Sequence, residues 1–347
     1  MIFLILALLL PINTYADSGH SAVVMDVDSG RIIYSKNMNQ QMLIASTTKI
    51  MTCVIVLENL DLEKEIIVGN EVLSMYGTNI YINVGEKIKV KDLLYGLMLR
   101  SGNDAAITLA VNTFGSEEKF IKAMNDKAKQ IGMTNTIFRN PHGLDDKNYN
   151  YSTAYDMALL SRYAYKNKMY RKIISTNKYL AKTSLKSYEW YNRVTLSKIY
   201  KHALGGKNGY TPKAGKSLVS VAAKDDLTYT IVTLDDNDIY VNHKSLYEKY
   251  FEKYKKFLIV DKNNFLKDIN LVDSKFYIKK SFYYPLTKDE KDNVTTLIEI
   301  FNERKDNCVG RVIIKLDNIK IGELSIYKSN KKEETSIFHK FKNLFVG

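Results

Sequence analysis

Two cysteines in 347 residues exclude a disulfide-stapled scaffold and any cysteine-rich zinc module. Four prolines and 17 glycines exclude a collagen-like or low-complexity chain. The five histidines (His20, His142, His202, His243 and His339) are scattered, with no HExxH or other close ligand pair. The pattern therefore calls for no catalytic metal and no cofactor. No apolar run approaches the roughly 20 residues of a membrane-crossing helix. The longest, residues 2–10, is followed by Pro11 and by the small residues Thr14 and Ala16. That is the shape of a secretory signal over residues 1–16, although only the α-amino group supplies its positive charge.

What is present is enough apolar material, 45%, for a sizeable core. At about 150 residues per domain the length suggests two domains. The net charge is 51 − 38 = +13, and the pI is near 9.3. Such a chain is drawn to polyanions. Export turns that reading away from nucleic acid and toward an anionic wall or the outer face of a membrane.

The apolar pattern predicts an α+β chain. Residues 22–26 and 31–34 read as strands turning at Asp28-Ser29-Gly30. Residues 46–60 read as a helix apolar nearly all round, hence buried. Helices are expected over 90–99, 105–114, 119–131 and 152–165, the last capped by Ser152 or Thr153. Strands at 218–223 and 228–234 and a charged amphipathic helix at 240–257 complete a first domain, 17–257. From 258 to 328, short apolar runs alternate with Lys and Asp, the pattern of a small β-rich domain. Residues 329–347 form a basic tail with Ile337, Phe338, Phe341, Leu344 and Phe345, spaced for one apolar helix face.

Three short stretches could carry chemistry. In Ser46-Thr47-Thr48-Lys49, the serine sits at a helix's first turn, where backbone N–H groups favour developing negative charge. The lysine lies one turn further on the same face. On so apolar a helix its ammonium is costly, its pKa falls, and a neutral amine beside a hydroxyl is a base that can activate it. Ser101-Gly102-Asn103 forms a turn between apolar helices that can aim a hydroxyl and an amide into one cleft. Lys207-Asn208-Gly209, ahead of a strand, offers a positive charge and open backbone on a sheet edge. Each has a bland alternative: an N-cap with a snorkelling lysine, a capping turn, a surface hairpin. Gly215-Lys216-Ser217 fails as a phosphate loop. Position 210 is tyrosine rather than the required glycine, and a strand is expected to follow.

In that order, with separations of 55 and 106 residues, the three elements resemble those of the penicilloyl serine transferases. The wider context is similar to the low-molecular-mass D-alanyl-D-alanine carboxypeptidases, the peptidase S11-like penicillin-binding proteins, with Gram-positive members nearest. Ile44 to Thr52 resembles their nucleophile helix and Leu97 to Ala106 their second motif. Asn140-Pro141-His142-Gly143 and Tyr151 to Ala158 resemble further blocks, and Gly206 to Thr211 the third motif.

The resemblance implies a β-lactamase/transpeptidase-like domain: an antiparallel sheet flanked by helices, with a helical subdomain. It implies a peptidoglycan stem peptide ending in D-Ala-D-Ala as substrate, β-lactams as inhibitors and no nucleic acid. The protein would be extracytoplasmic, with peripheral membrane contact through the tail. By the same resemblance Ser46, Lys49 and Ser101 are catalytic. Asn103, Lys207, Asn208, Gly209, Tyr210 and Thr211 bind substrate. The family's third motif usually reads Lys-Thr-Gly, and Asn208 departs from it with a longer side chain of different shape. Two other readings are a non-catalytic wall-binding homologue and a β-lactamase, for which Glu189 is the sole tempting carboxylate.

Overall fold

The computed structural model describes residues 18–145, 148–265, 276–305 and 307–328. The signal expected at 1–16 and the tail at 329–347 lie outside the described residues. The chain divides into two compact units, the first closing at Lys253 and the second opening at Tyr254. The charged helix accordingly runs Ile239–Lys253 rather than to 257. Phe257 instead lies on the strand Lys255–Val260, where it pairs with Tyr284. Tertiary pairing thus overrides a helical pattern at that point.

The first unit is built on a five-stranded antiparallel sheet. Its order is Ile32–Lys36, Ser21–Asp26, Leu227–Leu234, Gly215–Lys224 and Ala203–Thr211, so Ala203–Thr211 is an edge strand. Ser21–Asp26 is buried along its whole length because helices cover both sheet faces. On one face Thr230 donates to Ser161 of the helix Ala154–Tyr165. On the other, Ser220 pairs with His243 of Ile239–Lys253. Gly215 opens a strand rather than a helix, so the Gly-Lys-Ser sequence has no phosphate-loop geometry.

The helix Lys49–Asn59 is buried over its first eight residues, the burial its all-round apolar pattern requires. Asn103–Phe114 and Glu117–Gln130 pack beside it. Thr153 caps the helix Ala154–Tyr165 by accepting from the Asp156 N–H at 3.0 Å. The helix Lys168–Ser175 and the hairpin Lys178–Lys182/Ser187–Tyr191 are among the elements not expected from the sequence. Glu189 lies on that hairpin, ion-paired to Lys178 at 3.0 Å.

The second unit carries a four-stranded antiparallel sheet in the order Phe276–Ile278, Ile319–Lys328, Cys308–Leu316, Val294–Lys305. Val312, Ile314, Leu324 and Ile326 form the centre of its core.

Candidate active site

Ser46 lies on a 3-10 turn, Ala45–Thr48, that feeds directly into the helix Lys49–Asn59. Ala45 is held in the left-handed region, φ +45°, a costly conformation for an L-residue immediately before the serine. Two glycines make the approach to this turn possible. A β-carbon on Gly143 would stand 2.0 Å from the Ala45 carbonyl oxygen, and one on Gly209 would stand 2.9 Å from the Ser46 nitrogen. Glycine at 209 therefore lets the edge strand lie against the amides of Ser46 and Thr47.

Lys49 is fully buried. Its Nζ lies 2.5 Å from the His142 carbonyl oxygen, 2.7 Å from Asn103 Oδ1 and 3.0 Å from Ser46 Oγ. Among the described residues no carboxylate completes an ion pair with it. Burial, and then the charge of Lys207, hold its pKa well below the ordinary lysine value. Asp104 opposes this, and Arg193 adds to it. An uncharged amine has two N–H bonds and one lone pair. The two carbonyl oxygens can take the N–H bonds, which leaves the lone pair for the Ser46 hydroxyl proton.

The carbonyl of His142 belongs to the loop Asn140-Pro141-His142-Gly143. Asn140 Oδ1 accepts from the N–H of His142 and Gly143, Thr52 donates to the Pro141 carbonyl, and Asn150 donates to Thr48. These bonds fasten Asn140-Pro141-His142-Gly143 onto the nucleophile helix and fix the acceptor that Lys49 faces.

The second stretch arrives from a different direction. The helix Val90–Tyr95 passes into a π-helical turn, Gly96–Arg100, and Ser101 ends it with a left-handed φ of +66°. Ser101 is buried. Two residues on, Asn103 opens the next helix, accepts from Lys49 and donates to the Tyr76 carbonyl at 2.7 Å.

The third stretch lies on the edge strand. Lys207 is fully buried and donates to the Asn208 carbonyl at 2.6 Å. Desolvation, then the nearby Arg193, bring its pKa down to about 7. Asn208 and Tyr210 line a groove of about 500 Å³ whose opposite wall is Ile239, Tyr240 and Val241. Thr211 donates to Asp145 at 2.5 Å, so its hydroxyl is engaged within the protein.

Arg193 is the cation that sequence reading did not place. It is partly buried, donates to Thr78 Oγ1 at 3.2 Å and acts electrostatically on both lysines. Its backbone N–H bonds the Leu99 carbonyl, which ties the stretch after the hairpin to the π-helical turn. The recoverable signal was the period-two pattern Tyr179, Ala181 and Tyr188, Trp190, which marks that hairpin.

An antiparallel sheet flanked by helices, with a serine and a buried lysine at the head of its central helix, is the fold of the penicillin-interacting serine hydrolases. The family model described as D-alanyl-D-alanine carboxypeptidase matches residues 13–238, and the chain belongs to that family. It is 38% identical over 218 residues to the D-alanyl-D-alanine carboxypeptidase DacF of Bacillus subtilis. That match covers 61% of this chain and 56% of the relative's length. Among solved structures, DacD of Francisella tularensis aligns with a TM-score of 0.68 at 26% identity, covering 91% of this chain and 94% of that one. Penicillin binding protein 5 of Haemophilus influenzae shares the fold with a TM-score of 0.75 at 23% identity, covering 91% and 97%.

Proposed function

We propose that this chain is a serine-type D-Ala-D-Ala carboxypeptidase that removes the terminal D-Ala from peptidoglycan stem peptides. The observation that carries the reading is the buried, carboxylate-free Lys49 amine 3.0 Å from Ser46 Oγ. Ser46 Oγ attacks the carbonyl of the penultimate D-Ala while Lys49 takes its proton. The Ser46 and Tyr210 backbone N–H groups receive the oxyanion, each such donor being worth about 3 kcal/mol. Ser101 passes a proton to the leaving D-Ala amine, in a field set by Lys207. Asn103 orients Lys49 and holds the acyl chain. Asn208, Gly209 and Thr211 complete the substrate strand's seat, and Arg193 faces the substrate's terminal carboxylate. Water then hydrolyses the ester and regenerates Ser46. β-Lactams acylate the same oxygen.

The reading places the protein outside the cytoplasm, released by the signal at 1–16 and held at the wall or the outer membrane face by its basic tail. No helix among the described residues is long and apolar enough to cross a membrane. Glu189, exposed and paired with Lys178, gives no support to a β-lactamase reading. The deciding experiment is release of D-Ala from a D-Ala-D-Ala peptide by the purified full chain beside Ser46→Ala. Release by the wild type alone supports the reading, and equal release or none from both contradicts it.

A further inference from the structure

The mechanism leaves one buried carboxylate beside the site unused. Asp104 follows Asn103 in the first turn of the helix Asn103–Phe114 and is only 2% exposed. Among the described residues no cation pairs with it. Its oxygens instead accept four backbone N–H bonds. Oδ1 takes Ile80 at 2.9 Å and Ala105 at 2.9 Å, and Oδ2 takes Tyr81 at 2.7 Å and Ile82 at 3.3 Å. Three of these four donors belong to one irregular segment, 75–82. That segment includes Tyr81 at a left-handed φ of +62° with its side chain 71% exposed. A strained stretch of this kind persists only where its surroundings over-determine it.

The same segment grips the lysine's partner. The Asn103 N–H donates to the Thr78 carbonyl at 2.8 Å, and Asn103 Nδ2 donates to the Tyr76 carbonyl at 2.7 Å. The Asn103 amide is thereby fixed with Oδ1 toward Lys49. Asn79 closes the loop by accepting from the Asp104 N–H at 3.2 Å. A chain of bonds therefore runs from the Asp104 carboxylate to the 75–82 backbone, to Asn103 and to Lys49. We propose that Asp104 is a positioning residue for acylation: its carboxylate moors segment 75–82, and that segment sets the Asn103 amide against the Lys49 amine. The inference rests on the reading of Lys49 as the base for Ser46.

Its negative charge has a second, separable effect. The charged groups acting on Lys49 are Lys207 on the edge strand, Arg193 after the hairpin and Asp104, while His142 meets it through its backbone carbonyl. Asp104 alone among them is an anion and favours protonated Lys49. Asp104→Asn removes that charge and turns an NH2 group toward backbone donors. Acylation needs neutral Lys49, so its rate rises with pH through the Lys49 pKa, and losing the anion moves that rise to lower pH.

The test compares Asp104→Asn with Asp156→Asn in the full chain. Asp156 is likewise buried and accepts from Asn135 N–H and Thr136 Oγ1, but has no bond into the site. Ser46 acylation by a β-lactam is followed across pH. Asp104→Asn is expected to slow acylation at least about tenfold and to shift the rise to lower pH. Asp156→Asn should lower the melting temperature without moving the rise. If both variants behave alike, Asp104 is merely structural and the proposal fails. Hydrogen exchange on the wild type serves even if Asp104→Asn does not fold. The amides of Ile80, Tyr81 and Ile82 should be protected although they lie outside regular structure, and fast exchange there overturns the mooring. Absence of any Ser46 adduct in the wild type would instead overturn the underlying reading of the site.

Discussion

The cations buried at the first unit's site and those on the second unit's surface are held in opposite ways. In the second, Arg311 lies between Glu299 and Glu323 at 2.6 and 3.3 Å, and Lys320 reaches Glu323 at 2.7 Å, all partly open to water. Solvent screens such pairs, and they contribute little. In the first, Lys49 and Lys207 are fully buried and neither has a carboxylate partner among the described residues. Burying an unpaired ammonium costs several kcal/mol, so a fold keeps such a group neutral or does without it. The first unit keeps two within mutual influence and adds the partly buried Arg193. The difference teaches where the chemistry is: the first unit has surface pairs of the same kind, but among the described residues it alone also buries lysines around one hydroxyl.

The contrast breaks first at the serine. Ser46→Ala should abolish both D-Ala release and the β-lactam adduct seen by intact mass, and persistent labelling would place the nucleophile elsewhere. Lys49→Met comes next. Losing the base should lower acylation by about 10²- to 10⁴-fold, measured as the second-order rate with a chromogenic β-lactam. A loss below tenfold would mean that another group takes the proton.

Lys207→Met sharpens the stability side. With a folded pKa near 7 against an ordinary 10.5, Lys207 is charged in both states below pH 7 and penalises the fold there. Above pH 7 the folded chain sheds the proton that the unfolded chain keeps. Wild-type stability should therefore climb between about pH 7 and 10.5, by up to about 1.4 kcal/mol per pH unit from this residue. Denaturant melts at several pH values should show a flatter climb in Lys207→Met, and an equal slope would mean that Lys207 is not the source. Asn208→Thr should leave D-Ala release equal to or above wild type, and a tenfold drop would show that Asn208 suits another substrate. The smallest effect belongs to the second unit: Glu323→Gln should alter neither melting temperature nor acylation measurably.

Much of this organisation was legible in the sequence because local rules act there. The burial of Lys49–Asn59 follows from its all-round apolar pattern, and the strand at Gly215–Lys224 follows from the apolar, β-branched-rich stretch Leu218 to Ala223. Ser46, Lys49 and Asn103 meet where the order of motifs placed them. What was hidden depends on long-range geometry. The π-helical turn Gly96–Arg100 leaves no mark in a 3.6-residue periodicity. The His142 carbonyl is a backbone atom, invisible to any reading of side chains, and it meets Lys49 only because Asn140 and Asn150 fold its loop onto the nucleophile helix. Arg193 gains its place from the hairpin that precedes it, whose pairing the period-two pattern marks but whose position against the π-helical turn it does not.

The central claim is that Lys49 stands uncharged beside Ser46 at working pH. The direct measurement is the rate of Ser46 acylation by a β-lactam between about pH 5 and pH 10, with the adduct located by peptide mass. The account predicts an adduct on Ser46 whose rate half-rises well below the ordinary lysine value. A half-rise at that value, or an adduct on another residue, would contradict it.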